Sequence, residues 1–241
     1  MVGASFDGFS PGESPIGVVS GSGINLRPLL DTIYEERSFA EAGGLSGSGV
    51  LGHDGAFVYG RCAGVPVVLQ AGRIHLYEGH TPEQVGTTVD VLHEFGVRTL
   101  ILTNAVGGLD PALTPGSLVS VSEVKTWPYE AHAIRGPLAP DFLIPGCDAT
   151  GRYMWVHGPC YETRAEIGAL QRLGALAVGM SLPVELQRAT ALGIKTGIIS
   201  CVTNDCTRTG IKLTHSEVVD TAQKASLRLA HLIRSYVTSE V

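Results

Sequence analysis

Three helix-start boxes punctuate this chain: Thr81-Pro82-Glu83-Gln84, Thr163-Arg164-Ala165-Glu166 and Thr214-His215-Ser216-Glu217. In each, the threonine hydroxyl and the acid or amide three residues later satisfy backbone N–H groups that a helix leaves orphaned at its first turn. Between the boxes lie short aliphatic runs too brief for buried helices. A chain that alternates such runs with capped helices folds as a sheet with helices packed against it.

The spacing predicts a helix from Pro82 to about Phe95, stopped by Gly96. A second helix carries Ile167, Leu170 and Leu173 and closes at Gly174. The third places Val218, Ala222, Ala225, Leu229, Leu232 and Tyr236 on one stripe. Further helices are expected over 25–36 and 184–192. Strands are expected over 16–20, 56–62, 65–70, 99–103, 118–122, 153–157, 178–181 and 195–203, with 56–62 and 65–70 forming a hairpin about Ala63-Gly64. The fold class is therefore α/β: a single domain over residues 1–241, with a mixed central β-sheet flanked by α-helices. Residues 1–14 are expected to be flexible, and the proline- and glycine-rich stretch 125–152 to be a long loop.

Charge and cysteine usage exclude several classes. The formal charge is −6 and the 17 Lys and Arg are scattered, so no basic stripe exists for nucleic acid. No apolar run approaches a membrane span. Five cysteines without a C-x-x-C pair argue against a disulfide framework or a zinc site. The compartment expected is a reducing cytoplasm.

Four segments carry chemistry. Ser20-Gly21-Ser22-Gly23 follows a strand, and its small residues let backbone N–H groups and a hydroxyl approach an anion. In the segment 70–79, an extended chain points Arg73, His75 and Tyr77 one way, and the Arg fork suits phosphate. Asn104 and Ala105 precede Gly107-Gly108, which expose backbone to a ligand. Tyr161-Glu162 precedes a capped helix, whose positive end should keep the Glu162 carboxylate ionised. His215, in the first turn of the last helix, is expected to be neutral. Each segment taken alone also reads as a tight turn, an edge strand or a solvated helix start. Together they give an α/β enzyme with an anion site and no more.

In order, Ser20–Gly23, Gly52-His53, Gln70–Gly79, Thr103–Leu109, Gly158–Glu166, Gly174–Ser181, Thr203-Asn204 and His215–Val218 resemble the trimeric purine nucleoside phosphorylase family, which includes methylthioadenosine phosphorylases. The resemblance spans residues 16–237. It implies phosphorolysis of purine ribonucleosides, inosine and guanosine preferred, to free base and ribose 1-phosphate. It implies phosphate contacts from Ser22, His53, Arg73, His75, Asn104, Ala105 and Ser181, and ribose contacts from Tyr77, Met180 and His215. The base contacts it implies are Ala105, Tyr161, Glu162, Val178, Asn204 and Asp205, with Asn204, Glu162 and His75 catalytic. No metal or organic cofactor is implied; orthophosphate is a co-substrate. The partners implied are a purine nucleoside, phosphate and two further copies of the chain in a homotrimer, with no nucleic acid and no membrane.

Three departures bear on this. Only about 15 residues connect Arg135-Gly136-Pro137 to the strand before Gly158, so a helix the family has there is expected to be absent. The aromatic that closes a neighbour's pocket in the family then falls to Phe142, with Tyr129 second. Leu182-Pro183-Val184-Glu185 stands where the family has Val-Pro-Glu, with the proline shifted by one. Asp205 beside Asn204 adds an acceptor for a 6-amino group, so phosphorolysis of adenosine or a modified 5′-deoxyadenosine is the alternative. A catalytically impaired nucleoside-binding protein is a second alternative, raised by the shortened 125–152 stretch.

Overall fold

The computed structural model describes residues 12–44, 55–127, 138–208 and 215–239. His53, Tyr129 and Thr214 lie outside these, as does most of the stretch 1–14. The elements in chain order are β1 (Ile16–Val19), β2 (Thr32–Ser38), α1 (Phe39–Gly43), β3 (Ala56–Cys62), β4 (Val65–Ala71), α2 (Pro82–Glu94) and β5 (Thr99–Gly108). They continue with β6 (Leu118–Thr126), β7 (Ala149–Trp155), α3 (Arg164–Arg172), β8 (Ala175–Gly179), α4 (Pro183–Ala191), β9 (Lys195–Asp205) and α5 (His215–Ser239).

Local signals fixed most helix starts. Gln84 N–H donates to Thr81 Oγ1 and Thr81 N–H to Gln84 Oε1, and the Thr163–Glu166 pair does the same for α3. The expected helix over 25–36 does not form. Arg27–Leu29 makes one 3₁₀ turn, and Thr32–Ser38 is a strand paired antiparallel with β3. Its β-branched and aromatic residues favour a pleated surface, and β3 offers the ladder. The helix comes later, as α1, opened by a Ser38–Glu41 capping box. Further boundaries move, with β5 and β6 running on to Gly108 and Thr126, past the expected ends at 103 and 122. β7 begins at Ala149, four residues before the expected start, because β6 pairs with it in parallel from Val119↔Ala149 onward. β8 ends at Gly179, so Met180 and Ser181 leave the strand and face the site from a turn. Residues 138–148 contain no helix, as the shortened connection implies.

Among the described residues nine strands form one mixed sheet in the order β2-β3-β4-β1-β5-β8-β7-β6-β9. β5 also pairs with β9 along its length, while Gly107-Gly108 at its end pairs with Val178 and Ala177 of β8. The circuit β5-β9-β6-β7-β8 thus closes on itself. One core, rich in Val89, Leu92, Leu100 and Leu186, lies under α2 and α4, and another, with Ile101, Leu229 and Ile233, lies under α5. The closed circuit brings the ends of β5, β8 and β9 to one place.

Candidate active site

A cavity of about 620 Å³ opens at these strand ends. It is lined by twelve of the residues singled out in the sequence: Ser22, Arg73, His75, Tyr77, Asn104, Ala105, Tyr161, Glu162, Val178, Met180, Ser181 and Asn204. Thr203, Val106, Gly107, Gly179 and Val218 complete the described wall. The approach is close at two glycines. A Cβ on Gly21 would stand 2.7 Å from Asn104 Cα, so the loop after β1 lies directly on β5. A Cβ on Gly107 would collide with Cys206 Sγ.

One end of the cavity is built for an anion. Arg73 is 1% exposed, and its Nε donates to Glu185 Oε1 at 2.7 Å. Its Nη1 donates to Thr103 O at 2.9 Å and reaches Ser181 Oγ at 3.5 Å. Glu185, 2% exposed, also accepts from Leu182 N–H at 3.1 Å, so one carboxylate both opens α4 and orients the guanidinium. Leu182 sits at φ +91° with Pro183 at the first helical position, which is how the shifted proline is accommodated. Asn104 accepts from Ser200 Oγ at 2.7 Å, and its buried Nδ2 finds no acceptor among the described residues.

His75 is held on the same wall. Its Nδ1 lies 2.9 Å from Glu78 Oε1, and its ring stacks on Tyr77 with centroids 4.7 Å apart. A carboxylate on Nδ1 makes that nitrogen the protonated one and leaves Nε2 as an acceptor. Burial pulls the imidazole below its usual range, against the raising effect of Glu78, and so favours this neutral form. The expected extended run 70–79 does not occur. β4 ends at Ala71, Gly72 takes φ +106°, and Leu76–Glu78 is a 3₁₀ turn. Arg73, His75 and Tyr77 converge through this turn, and strand alternation plays no part.

The rest of the wall combines apolar and polar side chains. It includes Tyr161, Val178, Glu162 and Asn204. Thr203 Oγ1 donates to Asn204 Oδ1 at 3.2 Å, and Asn204 Nδ2 donates to Cys206 Sγ at 3.2 Å. Burial pushes the Glu162 carboxyl above the usual carboxylate range, and nearby Glu166 adds to the shift. That is opposite to the effect expected of the helix end. Desolvation outweighs the dipole because Glu162 lies outside the first turn, before the Thr163 cap.

Three of the candidate residues are not part of the described wall of this cavity. Asp205 lines a neighbouring cavity of about 1,030 Å³ and not the first one. Its Oδ1 accepts from Thr207 N–H and Oγ1, and its Oδ2 pairs with Arg208 at 3.2 Å, while Tyr161, Glu162, Thr203 and Asn204 line both cavities. Phe142 stacks on Tyr236 of α5, centroids 5.0 Å apart, with its ring over Gly197. It packs against its own chain there and lines neither of these two cavities. His215 opens α5 at the rim, but its side chain is outside the described residues. Sequence reasoning passed over Glu185, Glu78 and Cys206 as partners of site residues. Glu78, at helical spacing from His75, was the one of these with a local signal.

The Phosphorylase superfamily model matches residues 15–140 and 149–238. The chain belongs to this superfamily. The unmatched residues 141–148 fall in the shortened connection before β7. Within the superfamily, purine nucleoside phosphorylase 1 of Bacillus subtilis is 32% identical over 93% of this chain and 92% of its own length. The crystal structure of Schistosoma mansoni purine nucleoside phosphorylase in complex with inosine superposes with a TM-score of 0.80 at 25% identity, covering 95% of this chain and 90% of that one. The same enzyme in complex with adenosine gives 0.79 at 26% identity, covering 92% and 89%. No described helix is long and apolar enough to cross a membrane. Among the described residues no group of three or more His, Cys, Asp and Glu is placed to hold a metal ion.

Proposed function

We propose that this superfamily member is a purine nucleoside phosphorylase that cleaves inosine and guanosine with orthophosphate. The observation that carries this is the single cavity lined both by groups suited to an anion (Ser22, Arg73, His75, Ser181) and by groups suited to a purine edge (Tyr161, Glu162, Asn204), together with Tyr77 and Met180. The inosine-bound neighbour of the same fold supports it. Phosphate sits on the Arg73 fork and the hydroxyls, with a P–OH donating to His75 Nε2. It attacks C1′ as the bond to the purine breaks, through a state with oxocarbenium character that the phosphate charge stabilises. Glu162 accepts from the purine N1–H and Asn204 Nδ2 donates toward O6 as charge develops on the leaving base; N7 takes a proton from water as the bond to C1′ breaks, and Asn204 Oδ1 accepts from the N7–H so formed. Orthophosphate is the co-substrate, and the step calls on no further cofactor. The same reading makes the protein a cytoplasmic homotrimer; five free cysteines suit a reducing compartment.

The test is release of purine base from inosine, guanosine and adenosine with and without phosphate. Release from inosine and guanosine that requires phosphate is the expected result. Release without phosphate makes it a hydrolase, and binding without turnover makes it a binding protein.

The Glu162 carboxyl supplies a pH prediction. Its ionised form accepts from N1–H of a 6-oxopurine more strongly than its protonated form does; the protonated form adds a donor, which suits the bare N1 of a 6-aminopurine. Its titration lies above 4.5. The inosine-to-adenosine ratio of kcat/KM is therefore expected to fall as pH is lowered from about 8 to about 5, and the titrations of phosphate and His75 cancel in that ratio. Glu162→Gln should flatten the profile. A flat wild-type ratio removes Glu162 from the base edge.

A further inference from the structure

We infer that Cys206 is a positioning residue that fixes which way round the Asn204 amide faces, and through it the preference for a 6-oxopurine. The inference rests on the reading of the site given above. An amide has one donor end and one acceptor end of nearly equal shape, and turning it over exchanges what it offers a ligand. For a 6-oxopurine leaving with N7–H, Nδ2 must face O6 and Oδ1 must face N7. For a 6-aminopurine the two are reversed.

The protein holds both ends of this amide. The Thr203 hydroxyl lies on Oδ1 and the Cys206 sulfur on Nδ2, each at 3.2 Å. The Thr203 contact alone does not decide the orientation. That hydroxyl is also 3.2 Å from Val106 O, so it can give its proton there and accept from a turned-over Nδ2. The sulfur is therefore the contact that weights the choice. Facing it, Nδ2 donates to a lone pair and keeps its second N–H for the ligand. Turned over, Oδ1 has only a weak S–H donor to meet.

The sulfur is itself fixed. Cys206 N–H donates to Gly108 O at 2.9 Å. Its Sγ occupies the notch over Gly107, which any Cβ at 107 would fill. Burial raises the thiol to about 12, with Glu162 adding to the shift, so the group next to the amide is a neutral thiol at physiological pH.

The test compares Cys206→Ala and Cys206→Ser with wild type. Each is assayed for kcat/KM on inosine and adenosine, and for hypoxanthine and adenine affinity by calorimetry. In Cys206→Ala, inosine kcat/KM is expected to fall about threefold to tenfold, the scale of one neutral hydrogen bond. The hypoxanthine-to-adenine affinity ratio should fall by about the same factor. Cys206→Ser, which restores an acceptor on a shorter arm, should return inosine kcat/KM to within about twofold of wild type. An unchanged ratio in Cys206→Ala, with both substrates lowered equally, marks simple packing and overturns the inference. So does a serine variant that behaves like alanine. The base affinities separate this inference from the reading it rests on. A wild-type protein that binds hypoxanthine but releases no base with phosphate defeats the activity and leaves the affinity ratio to decide Cys206. One that binds neither base defeats both.

Discussion

Asn204→Ala is expected to lower kcat/KM for inosine by about a hundredfold or more, with most of the loss in kcat. The purine leaves C1′ carrying negative charge spread over its five-membered ring and O6. A donor waiting where that charge develops stabilises the transition state more than the bound substrate, and removing one such donor costs about 10²–10³ in kcat. Asn204 is suited to this because it is not free to relax: it terminates β9 beside the bulge opposite Gly107, and both ends of its amide are held. In the proposed function the bulk of the base packs elsewhere, on the cavity residues Tyr161 and Val178, so the KM for inosine should change far less than kcat. A loss below threefold would remove Asn204 from the chemistry. A loss confined to KM would leave it a binding contact only.

The parts of this site that were legible in the sequence are those set by local physics. Capping boxes act within four residues, so Thr81–Gln84 and Thr163–Glu166 formed where their spacing placed them. Small and polar residues at the ends of aliphatic strands marked where a crevice was to be expected, and twelve of the residues singled out line one cavity. What was not legible depends on partners far away in sequence. Thr32–Ser38 is a strand because β3 lies beside it, and the short run Thr32-Ile33-Tyr34 is too brief a local signal to announce that. Phe142 looked like a lid because it is aromatic in a loop, and its stacking partner is Tyr236 at the far end of the chain. Glu162 was expected to feel a helix end one residue away and instead feels burial contributed by the whole cavity wall. The closure of β5-β9-β6-β7-β8 is of the same kind: it turns Gly107-Gly108 from a plausible turn into the place where three strands meet.

Glu185→Ala should damage the protein twice, and the two effects can be measured apart. Glu185 and Arg73 are 112 residues apart in sequence, both about 2% exposed on their side chains, and joined at 2.7 Å. Removing one member of a buried pair leaves the other as an uncompensated charge and costs about 3–5 kcal/mol. For a chain of this size that lowers Tm by about 6–20 °C. The second effect is functional. Without Glu185 the guanidinium loses the contact on Nε that aims its fork, and Leu182 N–H loses its acceptor beside Ser181. The KM for phosphate is expected to rise about tenfold or more, the scale of one charge-assisted hydrogen bond, while that for inosine moves little. Arg73→Met combined with Glu185→Leu separates the effects. Apolar residues of similar volume replace a buried pair at little cost, so the double variant should regain most of the lost Tm. It should regain none of the phosphate affinity, because the fork is gone. Recovery of both would mean that the pair serves packing alone and that phosphate is held elsewhere. Recovery of neither would mean that the carboxylate is needed at Leu182 N–H more than at Arg73, and Glu185→Gln, which keeps an acceptor there without the charge, should then melt close to wild type.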